Sequence, residues 1–133
     1  METVFTKIRD GVIPSTKLYQ DDVCFVILDI NPVHKGHALV IANQPYCNTL
    51  ECPEDTLKHM IAVAKKIDEK QRKELKCDGS NIIINNDPAS GQEVPHLHIH
   101  VIPRYNNDGN KYAFNHETYA ENEMKEMKKK LEI

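Results

Sequence analysis

Gly91-Gln92-Glu93-Val94-Pro95-His96-Leu97-His98-Ile99-His100-Val101-Ile102-Pro103-Arg104 is the stretch on which the fold turns. Its histidines fall at 96, 98 and 100, with Leu97, Ile99 and Val101 between and after them. Side chains of a strand point alternately to its two faces, so a period of two sorts imidazoles from aliphatics. The pattern predicts a strand with His96, His98, His100 and Ile102 on one face and an apolar face against a core. At a rise of about 3.4 Å per residue the outer histidines stand about 13–14 Å apart. One histidine on a strand is usually a satisfied structural residue. Three in strict alternation gain little as structure, because each is desolvated beside the others and protonation would stack like charges. A ligand site explains them better. Metal suits the row poorly: histidines at i and i+2 can share a zinc ion, but the third is badly placed to close a tetrahedron.

The rest of the chain bounds the problem. Its 133 residues suit one domain spanning 1–133. With 40% hydrophobic and 28% charged residues the composition is that of an ordinary globular protein. A formal net charge of −3 argues against nucleic acid as a partner. There is no run of 18 apolar residues, and Met1-Glu2-Thr3-Val4-Phe5-Thr6 has no basic segment leading into an apolar one. A cytoplasmic protein without a membrane partner is expected. The cysteines at 24, 47, 52 and 77 are irregularly spaced, with no Cys-x-x-Cys pair, and are taken as reduced thiols. No metal or other cofactor is expected.

Phe5, Ile8 and Ile13 precede Pro14-Ser15 and suggest a short apolar turn or helix, followed by a brief strand around Leu18-Tyr19. Val23 to Ile30 is an almost unbroken apolar run, expected as a buried strand. His37 to Ala42 is a second, entered through Pro32 to Gly36, so the two form a hairpin. Asp29, at the end of the first, either caps the turn or faces a site. Residues 53–76 predict the clearest helix: Pro53 suits its first position, Glu54 and Asp55 its first turn. Leu57, Met60, Ile61, Ala64 and Ile67 make its apolar stripe. Ile82-Ile83-Ile84 predicts another strand, leading through Asn85-Asn86-Asp87-Pro88 to the histidine strand. Ala120, Met124, Met127 and Leu131 predict an amphipathic helix in the tail from Asn115 to Ile133.

The run His96-Leu97-His98-Ile99-His100-Val101-Ile102, after Gly91-Gln92 and before Pro103-Arg104, resembles the signature of the histidine-triad family. These are nucleotide hydrolases and transferases acting at the α-phosphate. The resemblance extends over roughly residues 3 to 105, through Ile13-Pro14-Ser15, Tyr19-Gln20-Asp21-Asp22 and Asp29-Ile30-Asn31-Pro32. It implies an α+β domain, a five-stranded antiparallel sheet with two helices, paired into a homodimer. By the same resemblance Asp29 binds the ribose hydroxyls, and Phe5, Ile8, Ile13, Ile27 and Ile30 sandwich the base. Asn85 and Gln92 contact the nucleotide, and His37 supports the triad from the neighbouring strand. Loop N–H groups near Gly91 suit phosphate oxygens. Thr3 and Thr6 stand where many members carry zinc-binding cysteines, so that zinc site is expected to be missing. Asp87 stands where relatives often have glycine. Glu93 replaces the serine of the phosphoramidase branch, and its acidity beside a leaving group bears on specificity.

The expected activity is hydrolysis of purine nucleoside phosphoramidates. His98 attacks phosphorus as neutral imidazole, its other nitrogen held by a backbone carbonyl. His100 hydrogen-bonds the phosphate or helps protonate the leaving group, with His96 and His37 behind. The alternatives are a dinucleoside polyphosphate hydrolase and a non-catalytic nucleotide- or metal-binding protein.

Overall fold

The computed structural model describes residues 1–111 and 113–133. Five strands form one antiparallel sheet: β1 (Lys17–Gln20), β2 (Cys24–Leu28), β3 (Ala38–Ala42), β4 (Gly79–Ile84) and β5 (His98–Arg104), in the order β1-β2-β3-β5-β4. Among the described residues three α-helices accompany it, α1 (Val4–Arg9), α2 (Glu54–Leu75) and α3 (Glu123–Leu131), with a short 3-10 turn at Pro88–Ser90. This is the α+β architecture expected, with α1 as the short helix of the opening segment. Among the described residues no helix is long and apolar enough to cross a membrane.

Period two decides what each face of the sheet receives. Cys24 and Val26 of β2, Ala38, Val40 and Ala42 of β3, and Leu97, Ile99 and Val101 pack in one cluster with Met60, Val63 and Ala64 of α2. Phe25, Ile27, Leu39 and Ile41 turn the other way, against Phe5 and Ile8 of α1. The register of β3 on β5 sets Leu39 opposite His100 and Ile41 opposite His98, so the two histidines share the α1 face. β5 begins at His98; His96 lies just before it, fully buried, with its N–H on the Val94 carbonyl at 2.8 Å.

Two helical readings need correction. On α2, Ile61 is 43% exposed, while Val63 and Gln71 are buried. The stripe that meets the sheet runs through Leu57, Met60, Val63, Ala64 and Ile67 to Gln71, and Ile61 falls off its flank. In the tail, α3 covers only Glu123–Leu131. Asn122 has a φ of 68°, a left-handed conformation that cannot continue a right-handed helix, so the turn ahead of Glu123 breaks the segment. Met124 and Leu131 of α3 are exposed.

Candidate active site

α1, the β2–β3 turn, the loop before β5 and the sheet face between them enclose a cavity of about 540 Å³. His37, His98 and His100 line it, as do Asp29, Ile30, Asn85, Gly91, Glu93, Phe5, Ile8, Ile13 and Ile27. His96, expected behind the working rings, does not line it and is buried. Gln92, expected at the nucleotide, does not line it either: it is buried, its Oε1 accepting from the Asp87 N–H at 2.7 Å and its Nε2 donating to the Cys47 carbonyl at 2.7 Å. Both ends of its amide are spent holding the loop. Ile30 lines the cavity at 97% exposure, which places it at the mouth rather than in a closed wall.

Hydrogen bonds assign the tautomers in the cluster: His37, His96 and His98 each set one nitrogen against a partner that can only donate or only accept, and His37 in turn fixes His100. His98 Nδ1 lies 2.7 Å from the His96 carbonyl oxygen. A carbonyl accepts only, so Nδ1 carries the hydrogen and Nε2 keeps its lone pair. His37 Nδ1 accepts from the Val33 N–H at 3.1 Å, so the hydrogen of His37 is on Nε2, which donates to His100 Nδ1 at 3.0 Å. The hydrogen of His100 is then on Nε2. His96 Nε2 donates to the Ala42 carbonyl at 2.6 Å, and its Nδ1 takes the Thr3 hydroxyl hydrogen at 2.7 Å. The cluster therefore offers one nucleophilic nitrogen and one N–H donor, on rings whose centroids are 5.0 Å apart.

Burial keeps the histidines neutral. Desolvation depresses His37, His96, His98 and His100 below the ordinary histidine value, and the neighbouring His98 and His37 help bring His100 to about 4. Asp29 and Glu93 oppose the effect at His98 without reversing it. Phe5 adds packing: its ring meets His98 edge-on at 5.0 Å and His96 at 5.5 Å.

Asp29 performs both tasks left open for it. Its Oδ1 accepts from the Asn31 N–H at 2.9 Å, capping the turn, while its Oδ2 lies 3.6 Å from His37 Nε2 on the cavity wall. His34, in the turn before His37, is half-buried against Asp108 at 2.9 Å, and its carbonyl takes the His37 N–H.

Thr3 is the residue that motif matching missed. It caps α1 through the Phe5 and Thr6 N–H groups while its hydroxyl reaches His96. The signal was present in the sequence, since a threonine directly before an apolar run is a favoured N-cap. Ser15, Asn31, Leu39 and Val94 also line the cavity, and no role was expected of them.

Among the described residues two groups of side chains have metal-ligand chemistry with ligand atoms within 4.8 Å of one another: Asp29, His37 and His100, and, outside this cavity, Asp21, Cys24 and His59. In the first, His37 and His100 already hydrogen-bond each other. In the second, His59 and Tyr19 both meet Asp21 Oδ2, and burial pushes the Cys24 thiol up to about 12.

Comparison with known proteins agrees with this geometry. A family model described as the HIT domain matches residues 10–107. An uncharacterised HIT-like protein of Methanocaldococcus jannaschii is 44% identical over 111 residues, 84% of this chain and 85% of that one. Adenylylsulfatase HINT3 of Arabidopsis thaliana is 39% identical over 107 residues, 80% of this chain but 54% of that one. The crystal structure of a HIT-family member from Bacillus subtilis superposes with a TM-score of 0.89 at 33% identity, covering 98% of this chain and 95% of that one. The chain belongs to the histidine-triad family, whose members are nucleotide hydrolases and transferases.

Proposed function

We propose that this chain hydrolyses purine nucleoside phosphoramidates, AMP joined to an amine, at the α-phosphate through a covalent nucleotidyl-histidine. One observation carries the reading: backbone groups fix a lone pair on His98 Nε2 and a hydrogen on His100 Nε2 at the same cavity wall.

In the first step His98 Nε2 attacks phosphorus and the P–N bond to the amine breaks, its electron pair leaving on nitrogen. Neutral His100 has a single hydrogen, and its best use is as a hydrogen bond to the phosphoryl oxygen, where charge builds up. The departing amine takes its proton from water at the open mouth. In the second step water attacks the same phosphorus and gives its proton to solvent. The bond to His98 breaks, its electrons return to Nε2, and a nucleoside monophosphate leaves. Asp29 Oδ2 would accept from the ribose hydroxyls, and the apolar wall of Phe5, Ile8, Ile13 and Ile27 would take the base. His96 and His37 hold the two working rings. A homodimer and a cytoplasmic setting go with this reading.

A second leaving group is supported by the Arabidopsis relative, whose name is adenylylsulfatase. The same machinery would then break a P–O bond and release sulfate.

The test is hydrolysis of an adenosine phosphoramidate by the wild-type chain and by His98→Ala, both with a chelator present. The expected result is turnover that survives chelation and falls by about 10³-fold or more in the variant. Activity kept by His98→Ala would remove His98 as nucleophile. Failure of the wild type on the phosphoramidate, with cleavage of adenylyl sulfate or a dinucleoside polyphosphate, would reassign the leaving group.

A further inference from the structure

The cavity is poor in positive charge. Among the described residues that line it there is no lysine or arginine, and its histidines are held neutral by burial. Two carboxylates line it, Asp29 and Glu93, and they are not equivalent. Asp29 is engaged by the Asn31 N–H and lies beside His37. Glu93 is exposed and, among the described residues, has no hydrogen-bond or ion-pair partner.

The chain on both sides of Glu93 is nonetheless anchored. Gln92 is buried and bonded through both ends of its amide. Val94 packs against the Phe5–Ile8 cluster, and its carbonyl takes the His96 N–H at 2.8 Å. A side chain between two fixed neighbours, one of them leading directly into the histidine stretch, is confined to the rim beside His98. Its charge is felt there, since Glu93 favours the protonated form of the His98 ring.

We infer that Glu93 is a specificity-determining residue that selects leaving groups by charge, favouring an amine whose tail carries an ammonium or guanidinium group and disfavouring anionic tails. The inference rests on the phosphoramidase reading above. With the base on the apolar wall and the ribose on Asp29, as in that reading, the group expelled from phosphorus is left with the rest of the rim, where Glu93 is the unpaired charge. An ammonium there gains a partner that nothing else in the cavity competes for. A carboxylate or phosphate there meets repulsion and finds no cationic side chain to offset it.

The experiment compares kcat/KM for three adenosine phosphoramidates of matched length, made from 1,5-diaminopentane, n-hexylamine and 6-aminohexanoate. They are measured with the wild type, Glu93→Gln and His98→Ala. The expected order is cationic, then neutral, then anionic, spanning about tenfold. The span shrinks to about twofold in Glu93→Gln and at about 0.5 M salt. Turnover that depends on His98 but shows no charge order, or an order that persists in Glu93→Gln, overturns the inference and leaves the phosphoramidase reading standing. No wild-type turnover of any of the three overturns that reading, and the inference with it.

Discussion

His98 Nδ1 points at the carbonyl oxygen of His96, 2.7 Å away. A residue two positions back on the same stretch thus holds the ring that faces the cavity. The contact costs no side chain, and it works only because the chain ahead of β5 is itself pinned. The His96 N–H bonds the Val94 carbonyl, and its ring is clamped between Thr3 and Ala42. Backbone geometry therefore selects the tautomer of the proposed nucleophile before any substrate arrives.

The neutral histidines make both stability and activity fall on the acid side, each from a different pH. All four have folded-state values below the unfolded value of about 6.5, with His100 at about 4. Above about pH 7 both folded and unfolded states carry them neutral, and stability is level. As pH falls below about 6.5 the unfolded chain binds protons that the folded one refuses. Stability then drops by up to about 1.4 kcal/mol per pH unit for each proton of difference. Thermal denaturation from pH 8 to 4.5 should show a plateau and then a decline. The rate constant kcat/KM should hold to lower pH than stability does and fall through the depressed folded-state value of His98, because protonated His98 has no lone pair. Greatest stability at pH 5 would contradict the assigned neutral forms.

Thr3→Val should destabilise the protein by about 2 kcal/mol. The substitution removes a helix cap, worth about 1 kcal/mol, and strands the buried His96 Nδ1 without a donor. Thr3→Ser keeps both contacts and should recover most of the loss. Urea unfolding of the three proteins checks this. Equal stability of the valine and serine variants would mean the hydroxyl is dispensable.

Asp87→Gly should stabilise the fold. Asp87 has φ 69° and ψ 161°, a combination that essentially only glycine adopts without strain. Its side chain gives back an exposed hydrogen bond from Asn48 at 3.0 Å. Relief of about 1–3 kcal/mol of strain against a surface contact of about 0.5–1 kcal/mol leaves a net gain on the order of 1 kcal/mol. A lower midpoint for the glycine variant in urea would show that the Asn48 contact outweighs the strain.

Asp29→Ala should raise KM for an adenosine phosphoramidate by about tenfold or more, with a smaller change in kcat. If the carboxylate holds the ribose, a 2′,3′-dideoxy substrate should suffer a similar loss with the wild type and no further loss with the variant. Additive losses would place Asp29 in the turn alone.

Much of this was legible in the residues, and the failures have physical causes. Strict alternation marked the histidine strand because a buried sheet with two covered faces leaves no freedom of register: Leu39 against His100 and Ile41 against His98 follow from it. The same pattern could not show that β5 starts at His98, because His96 is held by a local bond to Val94 and a distant one to Thr3. Gln92 matched a nucleotide-binding position, yet its amide braces Asp87 in its own loop and Cys47, which is remote in sequence. Spacing alone says nothing of such long-range bonds. In the tail, Ala120 to Leu131 had helical periodicity, but periodicity does not register the left-handed Asn122 that delays α3 to Glu123.

The central claim is a covalent bond between His98 and the nucleotide, and the stereochemical course at phosphorus tests it most directly. The substrate is a single diastereomer of an adenosine α-thiophosphoramidate, hydrolysed in ¹⁸O-labelled water. Two in-line displacements, one by His98 and one by water, give overall retention of configuration, which is the result expected. Inversion would mean a single direct attack by water and would contradict the covalent account.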